Sequence, residues 1–341
     1  MRILIISNRL PVTALDNEGE LTFQESAGGL VSGLNAYLDS LKNNHGTPCE
    51  YLWIGWPGIP TEEERRPFKN KFFAIFKFFS GWSKAYGKKE KIRSQMMDQF
   101  NSYPVFLSQD DIDKFYYGFS NRTLWPLFHY FPVYATYNED YWNHYKKVNE
   151  IFCENVLRVL KPDDIVWIHD YQLMLLPGLL KEKRPDLSIG FFLHIPFPSF
   201  EIFRLLPREW RTGILQGLLG ADLIGFHTHE YTQYFLRCVL RLMGIDHNLG
   251  EIFFLGRLVK ADTFPMGIDF KKFYNARNSK EVLAEKNKLR ETFKNHKIIF
   301  SVDRLDYTKG IINRLKGYER FLDKYPKYHN KIVLILVVVP S

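Results

Sequence analysis

Arg304 and Lys309 flank a short turn, Asp303-Arg304-Leu305-Asp306-Tyr307-Thr308-Lys309-Gly310, with an apolar run before it and an amphipathic stretch after it. Two cations where a strand feeds a helix can clamp a diphosphate, because N–H groups at the helix start and a planar guanidinium both favour phosphate oxygens. Asp303 and Asp306 in the same turn offer these cations ordinary ion pairs, and spacing alone leaves the two readings level. A second anion pattern lies near the start of the chain. Ser7-Asn8-Arg9 follows an apolar run, and Ser26-Ala27-Gly28-Gly29-Leu30 opens a helix. Paired glycines let backbone approach a ligand closely, and Arg9 adds a fork able to hold two phosphate oxygens. Two glycines more often mark only a tight turn, and Arg9 would also suit a surface ion pair.

Histidines and carboxylates follow other apolar runs. Ile165–Ile168 leads into His169-Asp170-Tyr171, and Ile189–Leu193 into His194-Ile195-Pro196-Phe197-Pro198. Each polar group alone reads as structural; at adjacent strand tips they read as a site for sugar hydroxyls. His227-Thr228-His229 puts two imidazoles on one face, but no third ligand is evident and Glu230 begins a helix, so no metal is expected there. Asp111-Ile112-Asp113 matches the Asp-x-Asp pattern that holds a divalent ion in some sugar transferases. It follows Ser108 rather than an apolar strand, and reads as a helix cap with carboxylates near the positive dipole end.

The elements that position these residues are read from hydrophobic patterning. Ile3–Ile6, Ile165–Ile168, Ile189–Leu193, Leu223–Phe226, Ile298–Val302 and Ile332–Val339 are continuously apolar, as strands buried on both faces of a parallel sheet are. Tyr231, Phe235, Cys238 and Leu242 mark one helix face, and Ile311, Leu315, Tyr318 and Leu322 another. Strand and helix in alternation predict a doubly wound α/β fold. Asp16 to Gly19 reads as a hairpin turn. Pro and Gly in Phe264–Asp269 predict a crossing between domains, here 1–266 and 267–341. The last strand is so apolar that it needs neighbours and helices on both faces, more than the remaining sequence supplies, so the second domain is expected to be incomplete.

The 341 residues carry a formal charge of +8 with 45% apolar and 25% charged side chains, as a soluble globular protein does. Three scattered cysteines form no metal spacing or disulfide framework, and no run is long enough for a membrane span. With no signal-peptide core at the start, a cytoplasmic enzyme is expected. The charge admits nucleic acid, yet the cations and aromatics sit at strand tips rather than along one basic stripe, so no nucleic-acid partner is expected. Residues 65–93 mix six phenylalanines and Trp82 with many lysines; a surface helix with its Phe face docked is preferred over a membrane-surface or partner contact.

These segments together resemble the trehalose-6-phosphate synthases: Ser7 to Arg9, Ser26 to Leu30, Trp53 to Gly58, Tyr116 to Asn121, Leu124 to Pro126, Trp167 to Tyr171, Phe191 to Pro198 and Arg304 to Gly310. They occur in family order over nearly the whole chain. The resemblance implies a retaining GT-B glycosyltransferase, with one complete N-terminal Rossmann-like domain and the beginning of a second. Its reaction would move glucose from UDP-glucose to glucose 6-phosphate, giving α,α-trehalose 6-phosphate and UDP, with no metal or other cofactor. Carried over, Arg9, Trp56, Tyr117 and Trp125 are similar to the acceptor site, with Arg9 and Tyr117 on the phosphate and the two Trp rings walling the sugar. Gly29 would lie under the donor diphosphate, Asp170 and His194 would face the donor glucose, and Arg304 with Lys309 would hold the UDP phosphates.

The chain departs from the family in its longer Phe-rich stretch and in lacking, before Ser341, the family's later acceptor Arg and its acidic, Gly-containing donor loop. A silent regulatory or binding subunit therefore stays open as an alternative, as do a glucosylglycerol-phosphate synthase, an ADP- or GDP-glucose donor, and a homo-oligomer or trehalose-pathway partner.

Overall fold

A computed structural model describes residues 2–17, 20–25, 34, 50–60 and 87–339. The expected Gly-rich helix start with Gly29, and most of the Phe-rich stretch, lie outside the described residues. The chain divides into two compact units, Met1–Gly267 and Ile268–Ser341. The division falls inside the Pro- and Gly-containing stretch Phe264–Asp269.

Among the described residues the first unit is built on a nine-stranded sheet. Its strands are β1 (Arg2–Arg9), β4 (Glu50–Trp56), β5 (Ser102–Pro104), β6 (Asp164–His169), β7 (Ser188–Phe192), β8 (Leu223–Phe226), β9 (His247–Asn248), β10 (Glu251–Phe254) and β11 (Arg257–Thr263), in the order β5-β4-β1-β6-β7-β8-β11-β10-β9. Pairing is parallel from β5 through β11, and β10 and β9 add an antiparallel edge. Leu4 and Ile6 of β1 pack into one core while Ile5 packs into the other. The central strand is thus buried on both faces, which is why its sequence is continuously apolar. β4 repeats the division, with Leu52 and Ile54 on one side and Trp53 on the other. β2 (Val12–Asn17) and β3 (Glu20–Glu25) pair antiparallel, with Asn17 opposite Glu20.

Helices cover the sheet: α1 over residues 87–100, α2 (Glu139–Val159), α3 (Leu176–Lys183), α4 (Arg208–Leu218) and α5 (His229–Met243). Between α1 and α2 runs a π-helix, Ile112–Leu124, which no 3.6-residue spacing foretells. Ser108 caps the turn before it, accepting from Asp111 N–H at 3.1 Å while its hydroxyl donates to Asp111 Oδ2 at 2.7 Å. The Asp-x-Asp segment is therefore a cap, as the sequence suggests. Among the described residues no helix is long and apolar enough to cross a membrane.

The second unit contains α6 (Phe270–Ala276), α7 (Lys280–Thr292), β12 (Lys297–Arg304), α8 (Ile311–Lys324) and β13 (Ile332–Val339). β12 and β13 pair in parallel over their whole length and form a sheet of two strands. No described residue of this unit is fully buried, and Phe300 and Val302 of β12 are exposed.

Candidate active site

In an open parallel sheet, side chains converge beyond the carboxyl ends of the strands. That edge of the first unit carries Arg9 on β1, Trp56 on β4, His169 at the end of β6 with Asp170 just after it, His194 after β7 and His227 after β8.

Arg9 lies opposite Trp56 in the β1–β4 register, with its guanidinium carbon 5.2 Å from the Trp56 ring centroid. The ring is nearly buried and donates its N–H to the Ile59 carbonyl at 3.1 Å, whereas Arg9 is exposed. Ser7 fixes the backbone beneath: its hydroxyl accepts from buried Trp53 Nε1 at 2.7 Å and donates to the Arg9 carbonyl at 2.7 Å. Gly58, at φ +88°, allows the loop to close here, since a Cβ would stand 2.5 Å from Thr13 and 3.3 Å from Arg9 Nη2. A guanidinium resting on an indole, with no hydrogen-bond partner among the described residues, is held ready for an anion.

The π-helix brings up the next wall. Tyr117 is exposed on it, and Trp125 follows its last residue. Tyr171 ties this wall to the sheet: its hydroxyl donates to Asn121 Oδ1 at 3.0 Å, and its ring lies 5.8 Å from that of Trp125. Wide π-turns are frequent where a helix must aim side chains at a site.

Asp170 has φ 75° and ψ 169°, a conformation that is strained for any residue but glycine. The surroundings hold it there. Its N–H donates to the Phe192 carbonyl at 2.8 Å, and its carbonyl accepts from Leu173 N–H at 3.2 Å. From α2, the Tyr145 hydroxyl donates to the Tyr171 carbonyl at 2.7 Å, and the Asn149 amide donates to the Gln172 carbonyl at 3.1 Å. Asp170 Oδ1 accepts the backbone N–H of His194 at 3.2 Å. Burial pushes the carboxyl up to about 7, only partly opposed by N–H groups of Tyr171 and His194.

Three imidazoles line the same edge. His169, fully buried, meets His194 at 3.0 Å between Nδ1 and Nε2, and the His194 and His227 ring centroids are 5.8 Å apart. Burial holds all three neutral: His194 is pushed down to about 3, with His227 adding to the effect, and His169 well below its ordinary value. Among the described residues no three His, Cys, Asp or Glu side chains are grouped to hold a metal ion.

In the second unit, Arg304 ends β12 and Lys309 ends a one-turn helix, with Gly310 at φ 63° starting α8. Asp303 takes Arg314 as its ion-pair partner at 2.6 Å, which holds its carboxyl below the usual range. Asp306 accepts from Thr308 N–H at 2.8 Å and caps the turn. Asp303 thus answers first to a helix residue the turn sequence does not contain, with Lys309 adding a weaker attraction. A hollow of about 360 Å³ lined by Lys294, His296, Lys297 and Lys331 lies at the opposite end of β12 and contains none of these groups.

The structure thus brings together Asp170 with His194, Arg9 with Trp56, and, through Tyr171, Trp125 with the turn after Asp170. Sequence reasoning passed over Asn121 and the linking role of Tyr171, and took His169 only as a tip residue. The model of glycosyltransferase family 20 matches residues 1–341. The chain belongs to glycosyltransferase family 20. A bifunctional trehalose-6-phosphate synthase/phosphatase of Thermoproteus tenax is 43% identical over 342 residues, covering 100% of this chain and 43% of the relative. An Escherichia coli trehalose-6-phosphate structure bound with UDP-2-fluoro glucose superposes with a TM-score of 0.77 at 30% identity, covering 100% of this chain and 65% of that one. The N-terminal domain of a Candida albicans trehalose-6-phosphate phosphatase gives 0.76 at 32% identity, covering 100% and 64%. This family 20 chain therefore spans less than two thirds of the length of these relatives. The GT-B-type α/β class expected from the sequence is borne out by the solved relatives.

Proposed function

We propose that the chain carries the acceptor side, and the start of the donor side, of a retaining transferase that moves glucose from UDP-glucose to glucose 6-phosphate, forming α,α-trehalose 6-phosphate and UDP. The observation that supports it most is the tie between Asp170 and His194 on neighbouring strand tips, on the edge where Arg9 stands on Trp56. Arg9 binds the acceptor phosphate, Tyr117 adds a hydrogen bond to it, and Trp125 walls the sugar. Trp56 serves mainly as the platform for Arg9. Asp170 and His194 face the donor glucose, and Arg304 with Lys309 takes up the UDP charge.

This division suits the chemistry. Retaining hydrolases use two carboxylates about 5–5.5 Å apart, one as nucleophile. Here the acceptor oxygen attacks the glucose anomeric carbon as its bond to the UDP oxygen breaks, and the departing phosphate oxygen takes the acceptor's proton. Charge develops on the diphosphate, so preorganised cations stabilise the transition state, while holding acceptor against donor lowers the entropic barrier. The test is UDP release from UDP-glucose by the chain, measured with glucose 6-phosphate, with glucose and with neither. Release that depends on the phosphorylated sugar supports the proposal; equal release under all three conditions defeats it.

The likeness to a phosphatase's N-terminal domain favours a second reading, a binding unit that keeps the site without turnover. Saturable binding of both sugars with no UDP formed would decide for it.

A further inference from the structure

His169 is an inward-facing, fully buried polar residue that the proposed transfer does not itself use. Its Nδ1 lies 3.0 Å from His194 Nε2, a hydrogen-bond distance between two ring nitrogens. Both rings are neutral at ordinary pH because burial penalises the imidazolium. Two neutral imidazoles in contact share one proton, which must belong to one or the other.

Packing decides which. If His194 Nε2 carried the proton, His169 would carry its own on Nε2, and that atom is buried with no hydrogen-bond partner. A buried N–H with nothing to donate to is the rarer and costlier defect; a bare ring nitrogen among apolar neighbours, here including the Trp167 ring at 4.5 Å, is tolerated better. Among the described residues no other polar group competes for either ring. The Asp170 carboxylate is engaged by the His194 backbone N–H, and the His227 ring bonds to the His194 backbone carbonyl rather than to its ring.

We infer that His169 is a positioning residue: its Nδ1–H donates to His194 Nε2 and locks His194 in the Nδ1–H tautomer. His194 then meets its ligand as a hydrogen-bond donor to a hydroxyl or ring oxygen of a sugar and has no free lone pair with which to act as a base. That the ligand is a sugar rests on the glucosyl-transfer reading above; the tautomer does not. The second ring nitrogen of a histidine commonly sets what the first can do.

The test is long-range ¹H–¹⁵N correlation on the ¹⁵N-histidine-labelled chain, with His194 assigned by its absence in His194→Gln. The expected result is a protonated Nδ1 and a bare Nε2 at His194. His169→Phe, which keeps bulk and removes the donor, should move the His194 proton to Nε2 or spread it over both nitrogens. His169→Asn, whose amide nitrogen falls near the position of Nδ1, should restore the parent pattern. Affinity for UDP-glucose should fall roughly tenfold in His169→Phe and recover in His169→Asn, as for one hydrogen bond lost and regained. A His194 Nε2–H in the unsubstituted chain, or an unchanged tautomer in His169→Phe, overturns the inference. Should His169→Phe not fold, the unsubstituted and His169→Asn spectra still decide. An Nδ1–H at His194 with no response of that signal to UDP-glucose supports the tautomer and sinks only the sugar-donor reading.

Discussion

The Tyr171 hydroxyl donates to Asn121 Oδ1 at 3.0 Å, joining the turn after β6 to the π-helix. This bond links two walls of the site, beside the ring contact between Tyr171 and Trp125. Tyr171→Phe removes it and keeps the ring that packs against Trp125. The expected cost is about 1 kcal/mol, seen as a fall of about 2–4 °C in Tm, with weaker binding of glucose 6-phosphate. An unchanged affinity would show that the two walls hold their places independently.

Arg9 on Trp56 predicts selectivity for a phosphorylated sugar. Arg9→Ala should weaken glucose 6-phosphate by roughly 10- to 100-fold, the range for a charge-assisted bond, and leave free glucose nearly unaffected. Calorimetric titration with both sugars measures it. Parallel losses for the two would remove Arg9 from the phosphate.

Asp170 should make the fold less stable as pH rises. Unfolded, its carboxyl ionises near its ordinary 3.8, and folded at about 7. Between those values the folded chain keeps a proton that the unfolded chain has lost, so stability declines across that window and levels off above it. Asp170→Asn keeps an acceptor for the His194 and Tyr171 N–H groups without the ionisation. It should melt higher than the parent at about pH 8, by an amount on the order of a few kcal/mol, and match it near pH 4. Melts across this range that stay parallel would refute the raised carboxyl. Transfer by the same variant should be lost, a stability gained at the expense of activity.

Gly217 of α4 packs against the segment that follows Asp170. A Cβ there would stand 2.4 Å from the Met174 carbonyl oxygen and 2.7 Å from Leu175 Cα. Gly217→Ala should therefore lower the urea midpoint by the equivalent of about 1–3 kcal/mol. Gly87, at the start of α1, has nothing within 4 Å of such a Cβ and serves as the control.

Much of the first unit was legible because a strand buried on both faces has to be apolar throughout. All six apolar runs are strands. β4, with its own apolar run Tyr51 to Ile54, is a strand outside that set; glycine is required at Gly55 because a Cβ there would lie 2.7 Å from the Ser7 carbonyl oxygen. The edge strand β10 also lies outside that set, although Ile252 to Leu255 is apolar throughout; with one face in solvent, buried Ile252 is followed by exposed Phe253. β9, of two residues, is too short for any pattern to mark it. The π-helix has a spacing that amphipathic patterning does not test for. Within the site, Asp170 and His194 could be read from their strand ends, and Arg9 from its motif. The His169 contact could not: a histidine at a strand end looks the same whether it faces a ligand or another ring. Likewise Asp303 finds Arg314 eleven residues away only once α8 turns back on β12.

The two-stranded sheet of the second unit has a practical consequence. Among the described residues β12 and β13 pair only with each other, leaving an unpaired backbone edge on each and exposed valine, isoleucine and phenylalanine alongside. Such edges recruit strands from other molecules. Concentrated preparations of these 341 residues alone should self-associate through this sheet, and solubility should improve when Val302 or Val338 is exchanged for lysine, with the first unit's chemistry untouched.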